Sequence, residues 1–405
     1  MPRFESSPQL AAHPVLEVFA CFLRLGMTSF GGPIAHLAYF RREFVEHRKW
    51  LDEHQYAQLL ALCQFLPGPA SSQLGFSIGM LRAGFAGAMA AFIAFTLPSA
   101  SLMYAFAVYL PALSGPDAQT AIHGLKLVAV AVVAHGLFGM GKQLCPDWPR
   151  RIVALCATAI LLTWNIPAMQ LVVVALGAVA GMCCVHDATV LPDASLPVRH
   201  SVRTGWVLLA TFTILLLVLP ILAHGSLLAS AMAAFYRAGA LVFGGGHVVL
   251  PLLQESVVDT GWISTSDFLA GYGAAQAVPG PMFSLAAHLG ASLPDQNGGA
   301  PGAMLALLLI FLPGLLLIAG MLPLWHILSR TAVAARLIAG INAAVVGLLA
   351  AALYDPVWIS AVNRVSDLVI AAAGFALLQV WRVSALWVVV WCVVASVVTD
   401  WLLPV

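Results

Sequence analysis

Charge is what this sequence has least of. Asp, Glu, Lys and Arg together make up 9% of its 405 residues, against 61% hydrophobic residues, where a soluble domain carries roughly 25% charged residues. That scarcity excludes an ordinary water-soluble globule and points to a polytopic membrane protein. The formal net charge is only +1 and no block of like charges occurs, so there is no basic field to hold nucleic acid and no polar tail. Seven cysteines (Cys21, Cys63, Cys145, Cys156, Cys183, Cys184 and Cys392) form neither a CxxC pair nor any zinc-ligand spacing. They read as small packing residues, and no metal site is expected. GxSxG, HExxH and CxxCH are also missing, so neither a cofactor nor an enzymatic constellation is expected. The opening residues, MPRFESSPQLAAHP, lack the basic start and apolar core of a cleaved signal. The first hydrophobic element is therefore expected to be retained.

What is present is a duplication. The stretch FLRLGMTSFGGP from Phe22 returns as FYRAGALVFGGG from Phe235, with Phe, Arg, Gly, Phe, Gly and Gly at the same spacing. One gap then brings Glu43 onto Glu255 and Trp50 onto Trp262, and Gln64-Phe65-Leu66-Pro67-Gly68-Pro69 onto Gln276-Ala277-Val278-Pro279-Gly280-Pro281. Further on, IHGLKLVAVAVV at Ile122 matches IAGINAAVVGLL at Ile338. Internal symmetry of this kind marks many transporter folds. The division it suggests is an N-terminal segment over 1–14, a first repeat over 15–186, a polar linker over 187–204, a connecting helix over 205–226 and a second repeat over 227–405.

The fold class expected is all-α. Lys and Arg favour cytoplasmic loops, and Arg41, Arg42, Arg48 and Lys49 crowd the loop after the first break. The equivalent loop of the second half has Glu255, Asp259 and Asp267 and no base. The same loop is therefore expected on opposite sides, with the two halves inverted. If the FGG and PGP elements are re-entrant, about nine helices span and about four segments re-enter. The N-terminus then lies inside and the C-terminus outside.

The breaks carry the chemistry. A helix starting near Val15 puts Arg24 about 13 Å in, near the middle of a hydrocarbon core roughly 30 Å thick. A charge there faces a partner or an aqueous cavity rather than lipid. Gly31, Gly32 and Pro33 then free backbone groups from the helix ladder, as Gly244 and Gly245 do after Arg237, and as the Pro67-Gly68-Pro69 and Pro279-Gly280-Pro281 turns do. Free N–H groups at helix starts, two arginines and the amides of Gln64 and Gln276 suit an oxyanion. The alternative is structural: the arginines pair with Glu43 and Glu255, and the glutamines satisfy broken backbone. Glu43, Lys126, His247, Glu255 and His288 are candidates for coupling or gating, and His36 also lies near a break.

The ordered set FGGP, RKWL and QFLPGP, followed by FGGG and QAVPGP, resembles the chromate ion transporter family in its long, two-domain form, over about residues 15 to 400. The resemblance implies a secondary transporter that exports chromate from the bacterial cytoplasm through the inner membrane and confers chromate resistance, with sulfate as the related oxyanion. Partners implied are the oxyanion and the lipid bilayer, with a homodimer as an allowed assembly. An anion channel, or a carrier of another oxyanion, is the alternative. Gly246 stands where the first half has Pro33, so the two tips are not expected to be equivalent.

Overall fold

In a computed structural model, residues 13–112, 115–164, 169–185, 200–223, 226–243, 246–325 and 332–402 are described. The linker, apart from its last residues, and Gly244 and Gly245 lie outside them. Among the described residues there is no strand, as expected where every backbone group in hydrocarbon must be satisfied within its own segment.

The first repeat contains α1 (Pro14–Thr28), α2 (Gly32–Arg41), α3 (Glu53–Phe65), α4 (Ala70–Tyr109), α5 (Pro116–Leu144), α6 (Trp148–Thr163) and α7 (Met169–Cys184). A π-helical turn, Arg42–His47, extends α2. Helix α8 (Val202–Leu222) connects to the second repeat: α9 (Leu227–Leu241), α10 (Val249–Val257), α11 (Thr265–Ala277), α12 (Leu285–Ala291), α13 (Gly299–Met321), α14 (Ala332–Ala352), α15 (Val365–Gln379) and α16 (Ala385–Leu402). Six segments are long and apolar enough to cross a membrane: Ala70–Ala112, Asp117–Leu144, Val202–Leu222, Gly299–Leu324, Ala335–Ala361 and Ala385–Leu402. The first of these is not one crossing. At Ala83 (φ −138°, ψ 24°) and Gly84 (φ 67°, ψ −159°) α4 leaves helical geometry, and its two arms fold together with Gly79 against Gly87. The second repeat builds the same hairpin from α12 and α13, with Gly290 against Gly302.

Glycine also decides where the first helix of each repeat crosses the long one. Gly26 of α1 lies against the carbonyls of Ala94 and Phe95 in α4, and Gly239 of α9 lies against Ile310 in α13. Both contacts fall just before a proline inside the long helix, Pro98 or Pro313, where the missing N–H opens the helix ladder. The aromatic rings of Phe22, Phe40 and Phe44 then lock α1 to α2, with Phe22 and Phe44 stacked at 4.9 Å.

The two repeats are interlocked. Helix α5 of the first packs between α15 and α16 of the second, and α14 of the second packs between α6 and α7 of the first. Small residues set these crossings as well: Gly124 meets Cys392 and Val393, and Gly340 meets Gly177 and Gly181. Lipid tails are as apolar as leucine, so close backbone approach rather than apolar burial holds such pairs. Helix α8 lies outside this exchange and presents Trp206, Val207, Ile214, Leu217 and Ile221 on its exposed surface.

A branched side chain at Gly239 overlaps backbone of α13, an overpacking defect of about 1–3 kcal/mol or more. Gly239→Val is expected to lower the melting temperature of the detergent-solubilised protein by several degrees. Gly139→Ala, where an added Cβ meets open space, is expected to leave it unchanged.

Candidate functional site

Each repeat breaks its chain twice. In the first, α1 ends at Thr28 and the chain turns through Gly31 (φ 103°) and Gly32 (φ 73°) into α2; α3 ends at Phe65 and the chain turns through Gly68 (φ 125°) into α4. In the second, α9 gives way at Val242 and α11 at Val278, where Gly280 adopts φ 102°. These left-handed dihedrals strain any residue with a Cβ.

The four breaks are joined crosswise. The N–H of Gly68 donates to the C=O of Val242 at 2.7 Å, and the N–H of Gly280 donates to the C=O of Ser29 at 3.0 Å. Ser29 and Val242 are equivalent positions of the duplicated stretch, so the proline turn of each repeat closes on the glycine break of the other. Gly68 also abuts Gly314 just after Pro313, and Gly280 abuts Ser99 just after Pro98.

Side chains around this junction separate into the satisfied and the unpartnered. Buried His36 reaches the Ser29 carbonyl through Nε2 at 3.2 Å and Ser71 Oγ through Nδ1 at 3.4 Å. Gln73 donates its amide to the carbonyls of Pro67 at 2.9 Å and Gly314 at 3.0 Å. Among the described residues, the buried hydroxyls of Ser29, Ser72 and Thr96 have no partner, a state that buried polar groups seldom keep without water or a ligand. Side chains of Asp52, Asp147, Ser201, Ser226 and Ser264 cap five helices. The helices that begin at breaks, α2 after Gly31 and α4 after Pro69, have no such cap, and neither does the 3-10 turn after Pro281. No side chain takes up their first N–H groups.

The two arginines differ. Arg24 sits on the exposed face of α1 with no hydrogen bond or ion pair from its guanidinium among the described residues. Arg237 pairs with Glu255 at 3.3 Å. Glu43, the counterpart of Glu255, is instead taken by Arg48 Nε at 2.7 Å, and Arg48 and Arg82 both reach Glu17. The Arg48 and Arg82 guanidinium groups lie over Trp50 at 5.4 and 5.0 Å. Glu255 lines a cavity of about 220 Å³ together with Gln170, Gln254, Asp259 and Asp355 among others, and a separate small pocket holds Arg237 and Glu255. In the loop beyond α10, burial raises the Asp259 carboxyl above its ordinary value, nearby Asp355 adds to this, and a hydrogen bond with Gln254 opposes it.

The other residues singled out from the sequence divide between the breaks and positions away from them. Gln64 is exposed and makes no hydrogen bond among the described residues, while buried Gln276 donates to Met282 Sδ at 3.1 Å. The broken backbone of the first repeat is therefore held by Gln73, which has no counterpart in the second and so gave no repeat signal. His247 Nδ1 meets the Tyr272 hydroxyl at 2.9 Å, with its ring against Gly136 of α5. His288 reaches the Asp267 carbonyl at 3.3 Å, and Lys126, half-buried in α5, feels the Asp267 charge. Lys126 and His288 thus converge on the start of α11 rather than on the junction.

Gln73→Leu strands two buried carbonyls, each costing about 1–3 kcal/mol. It is expected to lower the melting temperature clearly, whereas Gln64→Leu is expected to leave it within a degree or two. Thermal melts of the two purified variants decide between Gln73 and Gln64 as the residue that holds the turn.

A family model described as chromate transporter matches residues 16–182 and 229–397. The chain is 28% identical over 412 residues to a chromate transport protein of Pseudomonas aeruginosa, covering 98% of this chain and 94% of that one. It is 28% identical to a probable chromate transport protein of Synechococcus elongatus, covering 86% of each. It is 26% identical to an uncharacterized transporter of Methanocaldococcus jannaschii, covering 83% of each. No solved structure matches it.

Proposed function

The chain belongs to the chromate transporter family, and from that premise we propose that it is a secondary transporter carrying chromate, or a tetrahedral oxyanion such as sulfate, out of the bacterial cytoplasm. The observation that carries this reading is the crosswise junction. It gathers uncapped helix starts and the unpartnered hydroxyls of Ser29, Ser72 and Thr96 on the elements that follow or flank the breaks. An oxyanion is the acceptor best suited to uncapped helix starts and unpartnered O–H donors. Arg24 and Arg237 supply charge from the two repeats, and the turns Pro67-Gly68-Pro69 and Pro279-Gly280-Pro281 let backbone approach the cargo. The binding set we propose is these residues with Gly31, Gly32, Gly244, Gly245 and Gln276, of which Gly244 and Gly245 lie outside the described residues.

Direction follows from electrostatics. We place the basic loop with Arg41, Arg42, Arg48 and Lys49 in the cytoplasm, with the halves 15–186 and 227–405 inverted, the N-terminus inside and the C-terminus outside. The inner face then carries these bases, of which Arg41 pairs with Glu46 and Glu53 and Arg48 with Glu17 and Glu43, so it is close to neutral and does not repel anions. The outer mouth carries Glu255, Asp259 and Asp355 and repels them. Moving one charge across 100 mV is worth about 2.3 kcal/mol, so an inside-negative potential drives a dianion outward with roughly twice that. Chromate resistance would be the cellular result.

The test is flux of labelled chromate and sulfate in liposomes holding the purified protein under an imposed potential. Saturable, potential-sensitive export is expected. Arg24→Ala and Arg237→Ala, each removing charge-assisted bonds worth about 1.5–3 kcal/mol, should weaken apparent affinity roughly tenfold to a hundredfold. Flux that does not saturate indicates a channel; full flux without both arginines removes them from the site.

A further inference from the structure

Duplication put an arginine and a glutamate in both repeats, yet only one of the two pairs forms. The difference lies one helical turn beyond the glutamate. Position 48 is an arginine whose Nε holds Glu43 at 2.7 Å; its repeat counterpart is Thr260, an uncharged residue whose hydroxyl is spent on the Ser256 carbonyl at 3.0 Å. Glu43 therefore has its own base, and Arg24 is left without an ion pair. Glu255 has none but Arg237, at 3.3 Å. Its side chain is 8% exposed, so outside that pair it faces a cavity whose other ionisable groups are Asp259 and Asp355. Neutral Gln170 and Gln254 complete the polar lining, and among the described residues no second base is in contact with Glu255.

We propose that Glu255 is a built-in competitor of the cargo at the second-repeat arginine: its carboxylate takes Arg237 as the oxyanion leaves, whereas at Arg24 the neighbouring Glu43, whose charge it feels, is held by Arg48 and leaves Arg24 open for loading. The proposal rests on the reading that the two arginines hold the cargo. The exchange is one anionic partner for another on the same guanidinium: Arg237 stays paired as the cargo leaves, whereas Glu255, which has no other base in contact, is buried and unpaired while the cargo is bound, and that cost weakens binding at this arginine. The competitor does not itself drive net movement; the membrane potential does that. What it sets is the ratio of affinities at the two mouths, because a ligand shifts an equilibrium only by its differential affinity for the two states. The outer face, with the Arg237–Glu255 pair, should bind the oxyanion weakly and shed it, and the inner face should bind it at low concentration.

The experiment measures half-saturation by chromate from each side of liposomes in which the full-length protein has one orientation. Wild type is expected to need at least tenfold more chromate from the outer side than from the inner. Glu255→Gln should lower the outer value about tenfold and leave the inner value within twofold. Thr260→Arg gives Glu255 the base that Glu43 has; it should lower the outer value in the same direction with the carboxylate still present, a result that does not depend on Glu255→Gln folding well. If neither variant moves the outer value while Arg237→Ala weakens it, the competitor is overturned and the arginine site stands. If Arg237→Ala also leaves both values unchanged, the arginine reading falls and the competitor with it.

Discussion

Two hydrogen bonds hold the centre of this molecule, from Gly68 N–H to Val242 C=O and from Gly280 N–H to Ser29 C=O. Non-helical backbone is tolerated at membrane depth only where it is enclosed by protein or lines a cavity. Each repeat creates two such breaks and cannot satisfy both alone. The cross-connection lets the donor of one repeat meet the acceptor of the other. From it follow the glycines with left-handed dihedrals, the prolines inside α4 and α13 that leave room for those glycines, and the Gly26 and Gly239 crossings just ahead of the prolines.

The interlocking of the repeats extends the same constraint outward. Helices α5 and α14 are each enclosed by the last two helices of the opposite repeat, so neither half has a complete packing surface of its own. The breaks are joined separately, through Gly68 to Val242 and Gly280 to Ser29, so the two repeats are tied together at the junction as well as at the interlocked helices.

Symmetry of backbone does not extend to charge. In the first repeat Arg48 of the loop and Arg82 of α4 neutralise Glu17 and Glu43 around Trp50, and in the second the loop supplies Asp259 beside Glu255. Equivalent arginines consequently stand in different electrostatic company. Substitutions in the loops are enough to give two equivalent arginines different ion-pair partners.

The membrane class, the duplication and the four breaks were legible in the sequence because each rests on residue types that have few alternatives: apolar runs for a bilayer, glycine for positive φ, proline for a missing donor. The arginines were legible for the same reason, since a charge within an apolar helix stands out. Partner choice was not. Two apolar helix faces look alike to lipid and to each other, so only the tertiary structure decided that α5 goes to α15 and α16, and α14 to α6 and α7. Nor could spacing alone reveal that Gln73 rather than Gln64 holds the first proline turn, because the carbonyls it bonds, Pro67 and Gly314, come from opposite halves of the chain. The sequence by itself determined which residues break the helices and carry the charge; the fold decided which of them meet, because hydrogen bonds and ion pairs form between neighbours in space.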